Sequence, residues 1–132
     1  MDTIITNVPA VPMAPGTEVL FGVNIGVTDG KIEFISKKVP QELPQTIIDG
    51  TGMVAMPGLI NCHTHLATSV LRCYTDDLSN RQALEELLKK ESKMDSRGAK
   101  AAALLSIAEC LRFGVTSVSD LYYYPDATAK AV

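Results

Sequence analysis

The hydrophobic and polar positions change their period once along the chain. Up to about residue 55 they alternate in short runs, the pattern of strands that bury one face. Thr3-Ile4-Ile5-Thr6 predicts a first short strand, and Pro9, Pro12, Pro15 and Gly16 predict a loop over 9–18. Val23-Asn24-Ile25-Gly26-Val27 and Lys31-Ile32-Glu33-Phe34-Ile35 alternate on either side of Asp29-Gly30. That is a strong hairpin signal, because a type I′ turn needs positive φ at both central residues. A second loop is expected over 38–45, with Pro40 and Pro44. Thr46-Ile47-Ile48-Asp49 follows as a strand, and Asp49-Gly50-Thr51-Gly52 as a turn. Met53 to Met56 then leads through Pro57-Gly58 into an apolar run that starts at Leu59-Ile60.

Beyond His65 the period lengthens. Residues 66–73 suit a short helix and 74–79 a polar loop. Ser79 or Asn80 can cap a helix running to about Glu91, with Leu84, Leu87 and Leu88 on one face. Glu85–Lys89 and Glu86–Lys90 are expected as i,i+4 pairs on a solvated face. Asp95 or Ser96 can cap a longer helix ending near Phe113, with Gly114 at its C′ position. Leu104, Ile107, Ala108 and Leu111 form its expected apolar stripe, and Ser106, Glu109 and Arg112 lie opposite. Val115 to Asp120 reads as a second strand, and the chain reaches Val132 within a helix-like segment. Strand, helices, strand and helix make the βα repeat of a parallel barrel or a doubly wound sheet. The change of period divides the chain into an all-β part, 1–55, and a β/α part, 56–132.

Composition narrows the class. The chain has 132 residues, with 12 Lys plus Arg against 15 Asp plus Glu, and a formal charge of −3. Mild acidity without a basic cluster argues against nucleic acid. No apolar run approaches the ~18 residues of a membrane span, so no membrane partner is expected. The N-terminus lacks the positive region of a signal peptide. Cys62, Cys73 and Cys110 are odd in number and lack a Cys-x-x-Cys spacing, so free thiols in a reducing cytoplasm are expected.

The chemistry concentrates in Leu59-Ile60-Asn61-Cys62-His63-Thr64-His65, which contains both histidines of the chain. Side chains alternate faces along a strand. His63 and His65 are therefore expected on one side, where both can reach a single metal ion. Cys62 falls on the other side and is expected as a buried structural thiol. Tyr122, Tyr123 and Tyr124 either line a pocket for a flat ring or pack against helices.

Pro57-Gly58-Leu59-Ile60-Asn61-Cys62-His63-Thr64-His65-Leu66 resembles the first barrel strand of the amidohydrolase superfamily. Leu71-Arg72, Asp76-Asp77-Leu78, Leu111-Arg112-Phe113-Gly114-Val115-Thr116 and Asp120-Leu121-Tyr122-Tyr123 are similar to one branch of it. That branch holds the 5-methylthioadenosine/S-adenosylhomocysteine deaminases and the triazine-type chlorohydrolases. The resemblance implies an α/β fold: an incomplete (β/α)8 TIM-type barrel, its first two strands present, preceded by part of a small β-sandwich. A complete barrel takes about 250 residues, so the chain is expected to be the N-terminal part of a longer protein.

The resemblance also implies chemistry. His63 and His65 would ligate a divalent metal, Zn2+ or alternatively Fe2+. Metal-activated water would hydrolyse the exocyclic amine of an adenosine-type nucleoside. Glu91 falls where the adenosine-deaminating members carry a glutamate that binds the ribose hydroxyls. Ala83-Leu84 stand where the family carries a tryptophan, and this chain has none. Asp120 is expected as a structural hydrogen-bonding group rather than a ligand. The remaining ligands and the proton shuttle would lie outside this chain, so no catalytic residue is assigned within it and it is expected to be inactive alone. A guanine deaminase, a chlorohydrolase of the same branch, or an inactive orphan fragment are the competing readings. The expected partner is a small heterocyclic substrate, and the open sheet edges leave room for a homo-oligomer.

Overall fold

A computed structural model describes residues 1–41 and 44–132. Residues 42 and 43 of the loop expected over 38–45 lie outside the described residues. The chain forms two compact units, Met1–Pro57 and Gly58–Val132.

The first unit is a four-stranded sheet in the order β3-β2-β1-β4. β1 (Thr3–Ala10) pairs antiparallel with β2 (Leu20–Thr28) and parallel with β4 (Thr46–Asp49). β2 and β3 (Lys31–Ser36) form the expected hairpin. Its turn has Asp29 at φ 49° and Gly30 at φ 70°, the two positive values a type I′ turn requires. Val8, Ala10, Val23 and Ile25 form the core, with Ile5, Val27 and Ala55 packed against it. β1 is longer than expected and runs through Pro9. The β1–β2 register shifts between Val8 and Ala10, so Pro9 sits at an irregularity where no ladder N–H is needed. Its carbonyl accepts the Ala55 N–H at 2.8 Å.

The second unit is built on two parallel strands, β5 (Leu59–Thr64) and β6 (Val115–Asp120). Between them run a 3₁₀ helix (Leu66–Leu71), α1 (Asn80–Glu91) and α2 (Ser96–Arg112), and α3 (Pro125–Ala129) follows β6. The first helix is 3₁₀ rather than α. α3 stops at Ala129, short of the continuous helix expected to the end of the sequence. Ser79 caps α1, where Gln82 Oε1 accepts both its N–H and its hydroxyl, at 3.4 and 2.8 Å. Asp95 caps α2 by accepting the Gly98 N–H at 2.7 Å. Gly58 enters β5 so close to β6 that a Cβ there would run into the Thr116 side chain.

Three expectations are corrected here. The buried face of α2 is Ala99, Ala102 and Ala103, not the leucine stripe; Leu104 and Leu111 are 48% and 63% exposed. Small side chains let the 3₁₀ helix approach α2 closely enough for backbone capture. Ser69 Oγ donates to the Ala102 carbonyl at 2.9 Å, and Ser106 Oγ donates to the Leu66 carbonyl at 2.7 Å. Ala67, Ala99, Ala102 and Ala127 form the resulting core, with Met94, Tyr122 and Tyr124 against it. The expected i,i+4 pairs on α1 give way to Lys89–Glu86 at 2.6 Å and Arg81–Glu85 at 3.3 Å. Lys90 lies instead over the Tyr74 ring, 5.0 Å from its centroid. Finally, Cys62 is exposed, because β5 has a strand neighbour on one edge only and no described layer of this unit covers that side chain.

Candidate metal and substrate site

β5 delivers its histidines through an irregularity that strand parity does not foresee. Asn61 pairs with Val118 and Thr64 with Asp120, so three steps on β5 face two on β6. Such a bulge re-aims side chains. The His63 N–H turns to the Asn61 side-chain oxygen, 3.2 Å away. His63 and His65 still converge. Their Nε2 atoms are 3.3 Å apart, and the rings meet edge-on at 89° with centroids 5.1 Å apart.

The protonation of His65 follows from its partner. Nδ1 lies 2.7 Å from the Leu121 carbonyl oxygen. A carbonyl only accepts, so Nδ1 carries the proton and the Nε2 lone pair is left to bind. Metal-ligating histidines typically donate their other ring N–H to a carbonyl in this way, which fixes the ring and its tautomer. Two nitrogens 3.3 Å apart can share one ion at ~2.1 Å each with an angle of about 104°, near the tetrahedral value of zinc. The pair therefore fits a divalent ion. Among the described residues no cluster of three or more His, Cys, Asp or Glu side chains joins them.

His65 also lines a cavity of about 640 Å³ with Glu91, Arg72, Tyr122 and Tyr123. Leu71, Leu84, Leu87 and Leu88 give it an apolar wall. Arg72 is held by Glu109 through two hydrogen bonds of 2.9 and 2.6 Å, and this pairing keeps the Glu109 carboxyl below its usual range. Glu91 has no ion-pair partner among the described residues. Burial, followed by the Glu91 carboxylate, pushes the Tyr122 hydroxyl up to about 12. Tyr122 and Tyr123 line the cavity, while the Tyr124 hydroxyl donates to the Met94 carbonyl at 2.8 Å. Asp120 Oδ1 accepts the Leu66 N–H at 2.7 Å, a structural bond as expected.

Of the residues singled out from the sequence, the structure brings His63 and His65 together and places His65 and Glu91 on one cavity. Sequence reasoning did not foresee that Thr68, Arg72 and a leucine wall also line that cavity. The one available signal for the wall was the i, i+3, i+4 spacing of Leu84, Leu87 and Leu88, read only as a packing face. No described helix is long and apolar enough to cross a membrane.

Comparison with known proteins gives a consistent result. The chain is 39% identical over 132 residues to a 5'-deoxyadenosine deaminase of Methanosarcina barkeri, covering 99% of this chain and 30% of the relative. It is 35% identical over 132 residues to a 5-methylthioadenosine/S-adenosylhomocysteine deaminase of Thermoanaerobacter pseudethanolicus, covering 99% and 31%. A crystal structure of a mutant atrazine chlorohydrolase TrzN from Arthrobacter aurescens TC1, complexed with zinc and atraton, superposes with a TM-score of 0.84. The identity there is 26%, over 98% of this chain and 32% of the other. The chain thus spans about 30% of the length of the curated relatives it matches. The fold is α/β, with β5 and β6 as the opening strands of an incomplete TIM-type barrel. The sequence model of the amidohydrolase family matches residues 54–132, a stretch that holds β5, both histidines, the cavity and β6, and the chain belongs to that family.

Proposed function

We propose that this chain supplies the metal edge and one substrate wall of a deaminase that hydrolyses the exocyclic amine of an adenosine-type nucleoside. The observation that carries the reading is the convergence of the His63 and His65 Nε2 atoms at 3.3 Å, beside a cavity that also holds Glu91. His63 and His65 would hold a divalent metal, and zinc is favoured by two imidazole nitrogens at this separation. When bound, such an ion supplies Lewis acidity and a water of lowered pKa. Glu91 accepts hydrogen bonds from a ribose diol. The leucine wall and the tyrosine edge exclude water around a flat heterocycle. The Arg72 charge is taken up by Glu109, which suits an uncharged nucleoside better than a nucleotide.

Higher identity to the deaminases than to the chlorohydrolase favours C–N hydrolysis. β1–β4 are read as part of the small β-sandwich that precedes the barrel, so domain one is 1–55 and domain two 56–132. Free Cys62, Cys73 and Cys110 support a cytoplasmic setting.

The test is a chimera in which this chain replaces the matching segment of the Methanosarcina barkeri relative. It should release ammonia from 5'-deoxyadenosine, and His63→Ala and His65→Ala should abolish that release. This chain alone should release none. A folded, zinc-loaded chimera that leaves 5'-deoxyadenosine and 5-methylthioadenosine intact would contradict the proposal.

A further inference from the structure

The end of β6 grips the chain on both sides of His65. The Leu121 N–H donates to the Thr64 carbonyl at 3.1 Å, just before the histidine. The Leu121 carbonyl accepts from His65 Nδ1 at 2.7 Å. Asp120 Oδ1 accepts the Leu66 N–H at 2.7 Å, just after it. These three bonds, at consecutive residues of β5 and its exit, join Asp120 at the end of β6 and Leu121 just after it. The peptide of His65 is held further by Thr68, whose hydroxyl and N–H both donate to the His65 carbonyl, at 2.8 and 3.0 Å. Asp120 makes the only one of the three bonds in which the β6 side contributes a side chain, and its acceptor is a carboxylate, the charge-assisted kind. It is also the one that a substitution can remove.

We infer that Asp120 is a positioning residue for His65: by holding the Leu66 N–H it fixes the ring where Nδ1 meets the Leu121 carbonyl and Nε2 faces His63. The inference rests on the reading of His65 as a metal ligand, but its first consequence does not need the metal. Without the Asp120 bond the peptide after His65 can rotate, the Nδ1 bond to Leu121 lengthens, and the imidazole loses its single tautomer.

The experiment compares the chain with Asp120→Ala, Asp120→Asn and Asp95→Ala. Asp95→Ala removes the α2 cap and serves as a control that destabilises without touching His65. Two readouts are taken. The first is the ¹⁵N chemical shifts of the His65 ring in metal-free protein, which report the tautomer. The second is Co2+ affinity, followed by its visible absorption.

Asp120→Ala should mix the tautomers and weaken Co2+ binding by ~10–100-fold, the range for outer-shell partners. Asp120→Asn keeps an oxygen acceptor and should preserve the single tautomer and most of the affinity. Asp95→Ala should change neither. A single unchanged His65 tautomer in Asp120→Ala would overturn the inference, as would an equal effect from Asp95→Ala. A changed tautomer with no Co2+ binding even in the unsubstituted chain would uphold the positioning role and refute the metal reading alone.

Discussion

At the residue scale, the site is set by which atom of each side chain is occupied. The Leu121 carbonyl takes His65 Nδ1 and thereby selects Nε2 as the free donor. The pairing of the histidines was legible in the sequence, because period two in a strand brings residues two apart to one side. The bulge between Asn61 and Thr64 was not legible, since it depends on the register with β6. Cys62 was misread for a related reason. Strand parity gives the face of a side chain but not whether another layer covers it. Tyr122 carries a prediction of its own. Its hydroxyl, pushed up to about 12, stays protonated above the ~10 of an unfolded tyrosine. Both states are protonated at neutral pH, so stability is unaffected there. Between pH ~10 and about 12 the unfolded chain releases the proton first, and stability falls as pH rises. An ultraviolet titration should show phenol ionisation at about pH 12 that Tyr122→Phe removes, and an unchanged titration curve in Tyr122→Phe would contradict the assigned environment.

At the element scale, caps were easier to read than faces. Ser79 and Asp95 start α1 and α2 where sequence rules place them, because a cap is a local hydrogen bond. The buried face of α2 is a tertiary choice. The apolar-stripe rule weighs large side chains, whereas the close approach of the 3₁₀ helix selects alanines. Ala102→Leu should therefore destabilise the chain by about 1–3 kcal/mol through overpacking. Leu104→Ala, on the half-exposed stripe, should change stability by about 0.5 kcal/mol or less. Urea unfolding of both variants checks this, and the reverse order would mean that the leucine stripe is the packed face. Pro9 makes the same point in β1. A proline ends most strands, but at a register shift its missing N–H leaves no gap in the ladder.

At the scale of the whole molecule, the chain belongs to the amidohydrolase family and spans about 30% of its curated relatives. The division into an all-β and a β/α part was legible because the change from period two to helical period is a property of long stretches, whereas the choice of a barrel over a doubly wound sheet came from the family resemblance. The central claim is that His63 and His65 together hold one divalent ion. The most direct test is a calorimetric titration of Zn2+ into the unsubstituted chain, His63→Ala and His65→Ala. The account predicts one ion per chain, with affinity reduced in each variant by at least the ~100-fold that marks the upper end for outer-shell partners. Equal Zn2+ affinity in the unsubstituted chain and either variant would contradict it.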